Sequence, residues 1–189
     1  MLYVLAIEHA YDTTRISVGG SSAGGNMALS LSARLGSERI KSCFALYPAP
    51  HLTHPERLDT VMGCVSDKFR SGVVIPHWCM KLFINAYTTP GTDMNDPRLS
   101  PIFYDASKFP KYVAVACGDA DTLYRMNFDL MKKISGSASG TNVDGSRKFI
   151  CVLNEAHEFN TFGRTRASQE ERDRVEGEAI NMIRASWRQ

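Results

Sequence analysis

Arg15-Ile16-Ser17-Val18-Gly19-Gly20-Ser21-Ser22-Ala23-Gly24-Gly25-Asn26 is the most informative stretch of the chain. Residues 15–19 form a short, mostly apolar run that ends in glycine, as a strand does. Residues 25–35 (GNMALSLSARL) carry apolar side chains at helical spacing. Between them lies Gly20-Ser21-Ser22-Ala23-Gly24, a G-x-S-x-G sequence. A strand turning directly into a helix brings the backbone close to itself, so the turn needs small residues on both sides of Ser22. The helix aims its N-terminal N–H groups at that serine and favours negative charge developing there. The Ala23 N–H is then a donor to an oxyanion. A Gly/Ser-rich turn without chemistry has the same composition; the strand before and the helix after set this one apart.

Three further runs have the same strand-like character: residues 40–47 (IKSCFALY), 112–117 (YVAVAC) and 148–153 (KFICVL). Their near-continuous apolar content predicts parallel strands buried on both faces. Helical patterns follow at 121–134 and at 170–187, the latter with Val175, Ala179, Met182, Ile183 and Trp187 on one face. Strands alternating with helices predict an α/β fold with a mainly parallel sheet of about four recognisable strands. The chain reads as one domain over residues 1–189, with an insertion at 51–96 that contains one helical stretch, 76–87 (PHWCMKLFINAY). Residues 135–146 are Gly/Ser-rich and read as a flexible surface loop. The apolar start, residues 1–10, lacks a basic leader and a cleavage site and runs into Glu8 and His9, so it reads as a helix.

Composition narrows the class. The 189 residues carry a net charge of +2, with no basic cluster interleaved with aromatics, which argues against nucleic acid as partner. No apolar stretch approaches the length of a membrane span, roughly 20 residues. Cys43, Cys64, Cys79, Cys117 and Cys151 show no paired spacing, so neither a disulfide framework nor a zinc site is expected, and a cytoplasmic location is. His51 and His54 lack a third ligand at metal spacing. No metal or organic cofactor is expected.

A serine hydroxyl attacks a carbonyl only when a base takes its proton, and the base needs a carboxylate to orient it. Asp121, with Asp119 as its competitor, follows the 112–117 strand. An aspartate there also suits the start of the next helix. His157 follows the last strand and is the only histidine after Asp121; His9, His51, His54 and His77 lie elsewhere.

These motifs resemble those of the hormone-sensitive-lipase-like branch of α/β hydrolases. That branch carries a GDSAGGN elbow, here Gly20-Ser21-Ser22-Ala23-Gly24-Gly25-Asn26, preceded by D-x-x-R-I, here Asp12 to Ile16. A Tyr-Pro pair closes a strand, here Tyr47-Pro48, and a DPRLSP stretch recurs as residues 96–101. The family's acid lies in G-x-x-D-x-L, matched by Gly118 to Leu123, which selects Asp121 over Asp119; its base precedes Gly-Phe, here His157-Glu158-Phe159. The resemblance implies an α/β-hydrolase fold and an esterase or lipase-like activity on small carboxylic esters. It assigns catalysis to Ser22, Asp121 and His157, and an oxyanion N–H to Ala23. It makes residues 51–96 part of a cap, with Trp78, Met80, Leu82, Phe83 and Tyr87 as pocket candidates, chief among them Trp78, Phe83 and Tyr87.

The sequence departs from the family at three points. Ser21 replaces an acidic residue, and Glu158 replaces a glycine. No HGGG stretch, the family's source of further oxyanion donors, is present among the 21 residues before Ser22. By that comparison the front of the sheet is also missing. The expectation is a truncated hydrolase with an exposed strand edge open to a second copy, and impaired catalysis or a binding role is the alternative function.

Overall fold

The computed structural model describes residues 11–163 and 165–188; the helix predicted at residues 1–10 lies outside them. Four strands, β1 (Ser17–Ser21), β2 (Ser42–Leu46), β3 (Tyr112–Gly118) and β4 (Arg147–Val152), form one sheet in the order β1-β2-β3-β4. Every neighbouring pair is parallel. The helices between them are α1 (Ala23–Arg39), α2 (His77–Tyr87), α3 (Tyr124–Ser135), the single turn α4 (Phe159–Phe162) and α5 (Arg166–Ser186).

The alternation of side chains along a strand divides the core in two. Cys43, Ala45, Val113 and Val115 face Ala28, Leu29 and Ala33 of α1 and Leu130, Met131 and Ile134 of α3. Ala114, Ala116, Ile150 and Val152 face Val175 and Met182 of α5, together with Tyr47 and Phe159. Residues 113–117 are wholly buried, which is why β3 reads as a continuous apolar run. Burying a side chain such as Leu29 or Met131 contributes about 1.5–3 kcal/mol.

β1 starts and ends two residues later than the predicted run, because Gly20 and Ser21 continue the ladder opposite Ala45 and Leu46. Glycine inside a strand marks a close backbone approach. A Cβ at Gly19 would stand 2.9 Å from the Phe44 carbonyl oxygen. Among the described residues β1 is an edge strand, and a groove of about 390 Å³ beside it is lined by Val18, Gly20, Phe44, Leu46 and Ile183 among others. The Gly/Ser-rich loop after α3 is hydrogen-bonded onto β4: the Arg147 N–H reaches the Asn142 side chain, and the Phe149 N–H reaches the Gly140 carbonyl.

Within residues 51–96, a 3₁₀ turn (Pro55–Thr60) and α2 enclose a third apolar cluster. Leu58, Met62, Met80, Ile84 and Met94 pack there against Leu123 and Met126 at the start of α3. Two family motifs anchor this region. The Asn26 side chain donates to the carbonyls of Ala49 (2.7 Å) and Leu99 (2.9 Å), tying α1 to both ends of the insertion. Ser100 donates to the Leu52 carbonyl and accepts from the Leu52 N–H.

Candidate active site

The site is assembled from the carboxyl ends of all four strands. Beyond β1, Ser22 turns the chain into α1 with φ 50° and ψ −120°. A positive φ at a non-glycine residue costs on the order of 1–3 kcal/mol, which the surrounding packing must hold. The crowding sits at Gly20 and Gly25. A Cβ on Gly20 would lie 2.5 Å from the Gly24 carbonyl oxygen, and one on Gly25 would lie 3.0 Å from Pro48. At Gly24, the second glycine of G-x-S-x-G, nothing stands within 4 Å of an added Cβ among the described residues. The expected steric demand on both sides of Ser22 is therefore met one residue further along, where α1 packs on β2.

Beyond β3, the chain makes a tight turn through Asp119 and Ala120 to Asp121. This turn delays α3 to Tyr124, three residues after the predicted start. Asp121 is fully buried, and its Oδ1 accepts the Leu123 N–H at 2.8 Å. Beyond β4, a loop carries His157, which is 3 % exposed. His157 Nδ1 lies 2.8 Å from Asp121 Oδ2, and Nε2 lies 3.0 Å from Ser22 Oγ. Three residues far apart in sequence thus form one hydrogen-bonded line. Asp119 takes no part; its Oδ1 faces the Glu155 N–H at 3.4 Å.

Beyond β2 comes Tyr47, whose role the Tyr-Pro motif marked without explaining. Its ring lies 4.5 Å from the imidazole of His157 and edge-on to Phe159. Its hydroxyl donates to the Asn160 side chain. Burial pushes the Tyr47 phenol up to about 12, so it remains a donor at neutral pH. Both ring nitrogens of His157 are engaged by Asp121 and Ser22, which leaves none for Glu158. Glu158 instead occupies a left-handed conformation (φ 59°) at the start of α4, the backbone demand that a glycine meets without strain.

Ala23, an exposed residue, opens α1, where the first N–H groups have no partner inside the helix. Trp78, Phe83 and Tyr87 are each more than half exposed and lie outside the buried Met80–Ile84 stripe of α2. No hydrogen bond or ring contact joins these three to Ser22, Asp121 or His157 among the described residues. α2 is apolar around most of its circumference, so its composition did not reveal which side packs. Among the described residues no three His, Cys, Asp or Glu side chains gather as a metal ion would need.

A family model for the α/β-hydrolase fold matches residues 2–160. The chain belongs to the α/β-hydrolase family. Its motifs agree with the hormone-sensitive-lipase-like branch of that family. No curated protein matches it. Among solved structures, the thermostable carboxylesterase EstE1 from a metagenomic library is 25% identical with a TM-score of 0.72; the match covers 98% of this chain and 60% of that one. An esterase of the archaeon Pyrobaculum calidifontis is 19% identical (TM-score 0.68; 96% and 57% covered). Brefeldin A esterase, a bacterial homologue of human hormone-sensitive lipase, is 21% identical (TM-score 0.66; 97% and 52% covered). The α/β hydrolase described here spans about half to three-fifths of the length of these relatives. No helix among its described residues is long and apolar enough to cross a membrane.

Proposed function

We propose that this α/β hydrolase cleaves small carboxylic esters through an acyl-enzyme formed on Ser22. The observation that carries the reading is the line from Ser22 Oγ to His157 Nε2 to Asp121 Oδ2, at 3.0 and 2.8 Å. Ser22 Oγ attacks the ester carbonyl while His157 Nε2 takes its proton. The imidazolium is held by the buried Asp121 carboxylate at Nδ1. The tetrahedral oxyanion is met by the Ala23 N–H and the positive end of α1. Collapse breaks the bond to the alkoxide, which leaves as the alcohol with the proton from His157. Water, deprotonated by the same imidazole, then hydrolyses the acyl-serine. The Tyr47 ring, tilted 58° against the imidazole, limits its rotation throughout. The likeness to proteins named as esterases supports an ester rather than an amide as the proposed substrate.

The reading is tested with a fluorophosphonate probe and short p-nitrophenyl esters. Labelling is expected at Ser22, with loss of both labelling and turnover in Ser22→Ala. Folded protein that neither labels nor turns over would refute it and favour a role in binding alone.

A further inference from the structure

Asp121 and Glu155 are the carboxylates with no exposed surface among the described residues, and the reaction uses only Asp121. Glu155 lies two residues before His157. Its Oε1 accepts from Arg70 Nε at 3.1 Å and from Ser168 Oγ at 2.9 Å, and its Oε2 accepts from Ser71 Oγ. Arg70 also donates to the Leu153 carbonyl at 2.8 Å. One side chain therefore joins three separate parts of the molecule: the 51–96 insertion through Arg70 and Ser71, the first turn of α5 through Ser168, and the loop that carries the imidazole.

The backbone follows the same path. The Ala156 N–H donates to the Ser71 carbonyl at 2.9 Å, while Val73 and His157 exchange a pair of hydrogen bonds at 2.7 and 3.1 Å. On the opposite side, the Glu155 carbonyl accepts the Ala120 N–H at 3.1 Å, one residue before Asp121. Only the carboxylate end of this ion pair is buried, the Arg70 side chain remaining one-third exposed, and a buried charge held by a partner contributes little net stability over apolar packing; its best-attested use is to enforce a single register. Here the register at stake is that of residues 155–157, and the His157 ring must lie within hydrogen-bond reach of two partners at once.

Resting on the hydrolase reading above, we propose that Glu155 is a positioning residue: its carboxylate, clamped by Arg70, Ser71 and Ser168, locks the loop that presents His157 to Ser22. The insertion thereby becomes part of the catalytic framework.

The test compares the full chain with Glu155→Gln, Arg70→Ala and Ser168→Ala. It reads the fluorophosphonate labelling rate, kcat and KM on a short p-nitrophenyl ester, the thermal melt, and the downfield proton resonance of the His157–Asp121 hydrogen bond. In Glu155→Gln, labelling and kcat are expected to fall about 10²-fold with KM within about twofold, and the downfield resonance to broaden or disappear. Arg70→Ala and Ser168→Ala are expected to lose about 3- to 10-fold in the same two rates. Variants that melt earlier but keep wild-type labelling, kcat and resonance overturn the proposal, because a purely structural role predicts that outcome. Should Glu155→Gln fail to fold, the two milder variants decide by the same criterion. An unlabelled wild type whose resonance is nevertheless lost in the variants would refute the hydrolase reading and leave the positioning role standing.

Discussion

Gly118, the last residue of β3, precedes the turn that sets Asp121. Replacing it by alanine adds one carbon where there is no room. The new Cβ would lie 2.1 Å from the Glu155 carbonyl oxygen, 2.6 Å from its carbon and 3.1 Å from the Ala156 oxygen. The first of these is about 1.3 Å short of the 3.4 Å at which ordinary contact begins. All three obstacles are backbone atoms, so no rotamer change relieves them. The loop carrying His157 must move by about 1 Å, enough to lose the 3.0 Å contact between Nε2 and Ser22 Oγ. A misplacement of that size costs about 10²-fold in rate, or about 2.7 kcal/mol of transition-state stabilisation. Overpacking adds a destabilisation of about 1–3 kcal/mol. Gly118→Ala is therefore expected to label with the fluorophosphonate about 10²-fold more slowly, at a temperature where circular dichroism shows it folded. Gly177→Ala is the control. It lies within α5 with nothing within 4 Å of an added Cβ, so it should label normally and gain about 0.4–1 kcal/mol. Folded Gly118→Ala that labels at the wild-type rate would show that the loop absorbs the carbon without moving the imidazole, and the steric reasoning would fail.

Glu158→Gly should raise stability by about 0.5–1 kcal/mol in urea titration, since relief of the left-handed strain exceeds the entropy that glycine adds to the unfolded chain; a lower midpoint would mean that the glutamate side chain holds the turn. His51 is half-buried, with its ring edge-on to Phe103, and burial holds its pKa below the ordinary 6.5. The unfolded chain then takes up the proton first, so this contribution is present above about 6.5 and is lost as pH falls through the folded value. The melting temperature should decline below that pH, and less steeply in His51→Gln; equal slopes would exclude His51 as a source.

Much of this arrangement was legible in the residues. β2, β3 and β4 announce themselves as apolar runs because the sheet is covered on both faces, and α5 does so because only one of its faces is buried. The meeting of Ser22, Asp121 and His157 was legible because each follows a strand in a fixed order. β1 was misplaced by two residues since glycine, the usual sign of a strand's end, here serves a close approach to Phe44. The partners of the site were less visible. Glu155 reads as a polar loop residue until Arg70 and Ser168, 85 and 13 residues away, close around it. Tyr47 carried a motif but no hint that its ring would lie against the imidazole. Trp78, Phe83 and Tyr87 show the converse: an apolar helix displays its composition in the sequence, but its orientation depends on neighbours that no local pattern names.

Because each strand of the sheet delivers one part of the site, with Ser22, Tyr47, Asp121 and His157 coming from four different strand ends, the chemistry has no sub-domain of its own in which to survive. Peeling away any one strand, by heat, denaturant or a proteolytic nick, separates the nucleophile from its base. On the proposed hydrolase reading, covalent labelling of Ser22 would therefore gauge the integrity of the entire sheet, a partly melted population counting as inert in proportion to the molecules that have lost even one ladder.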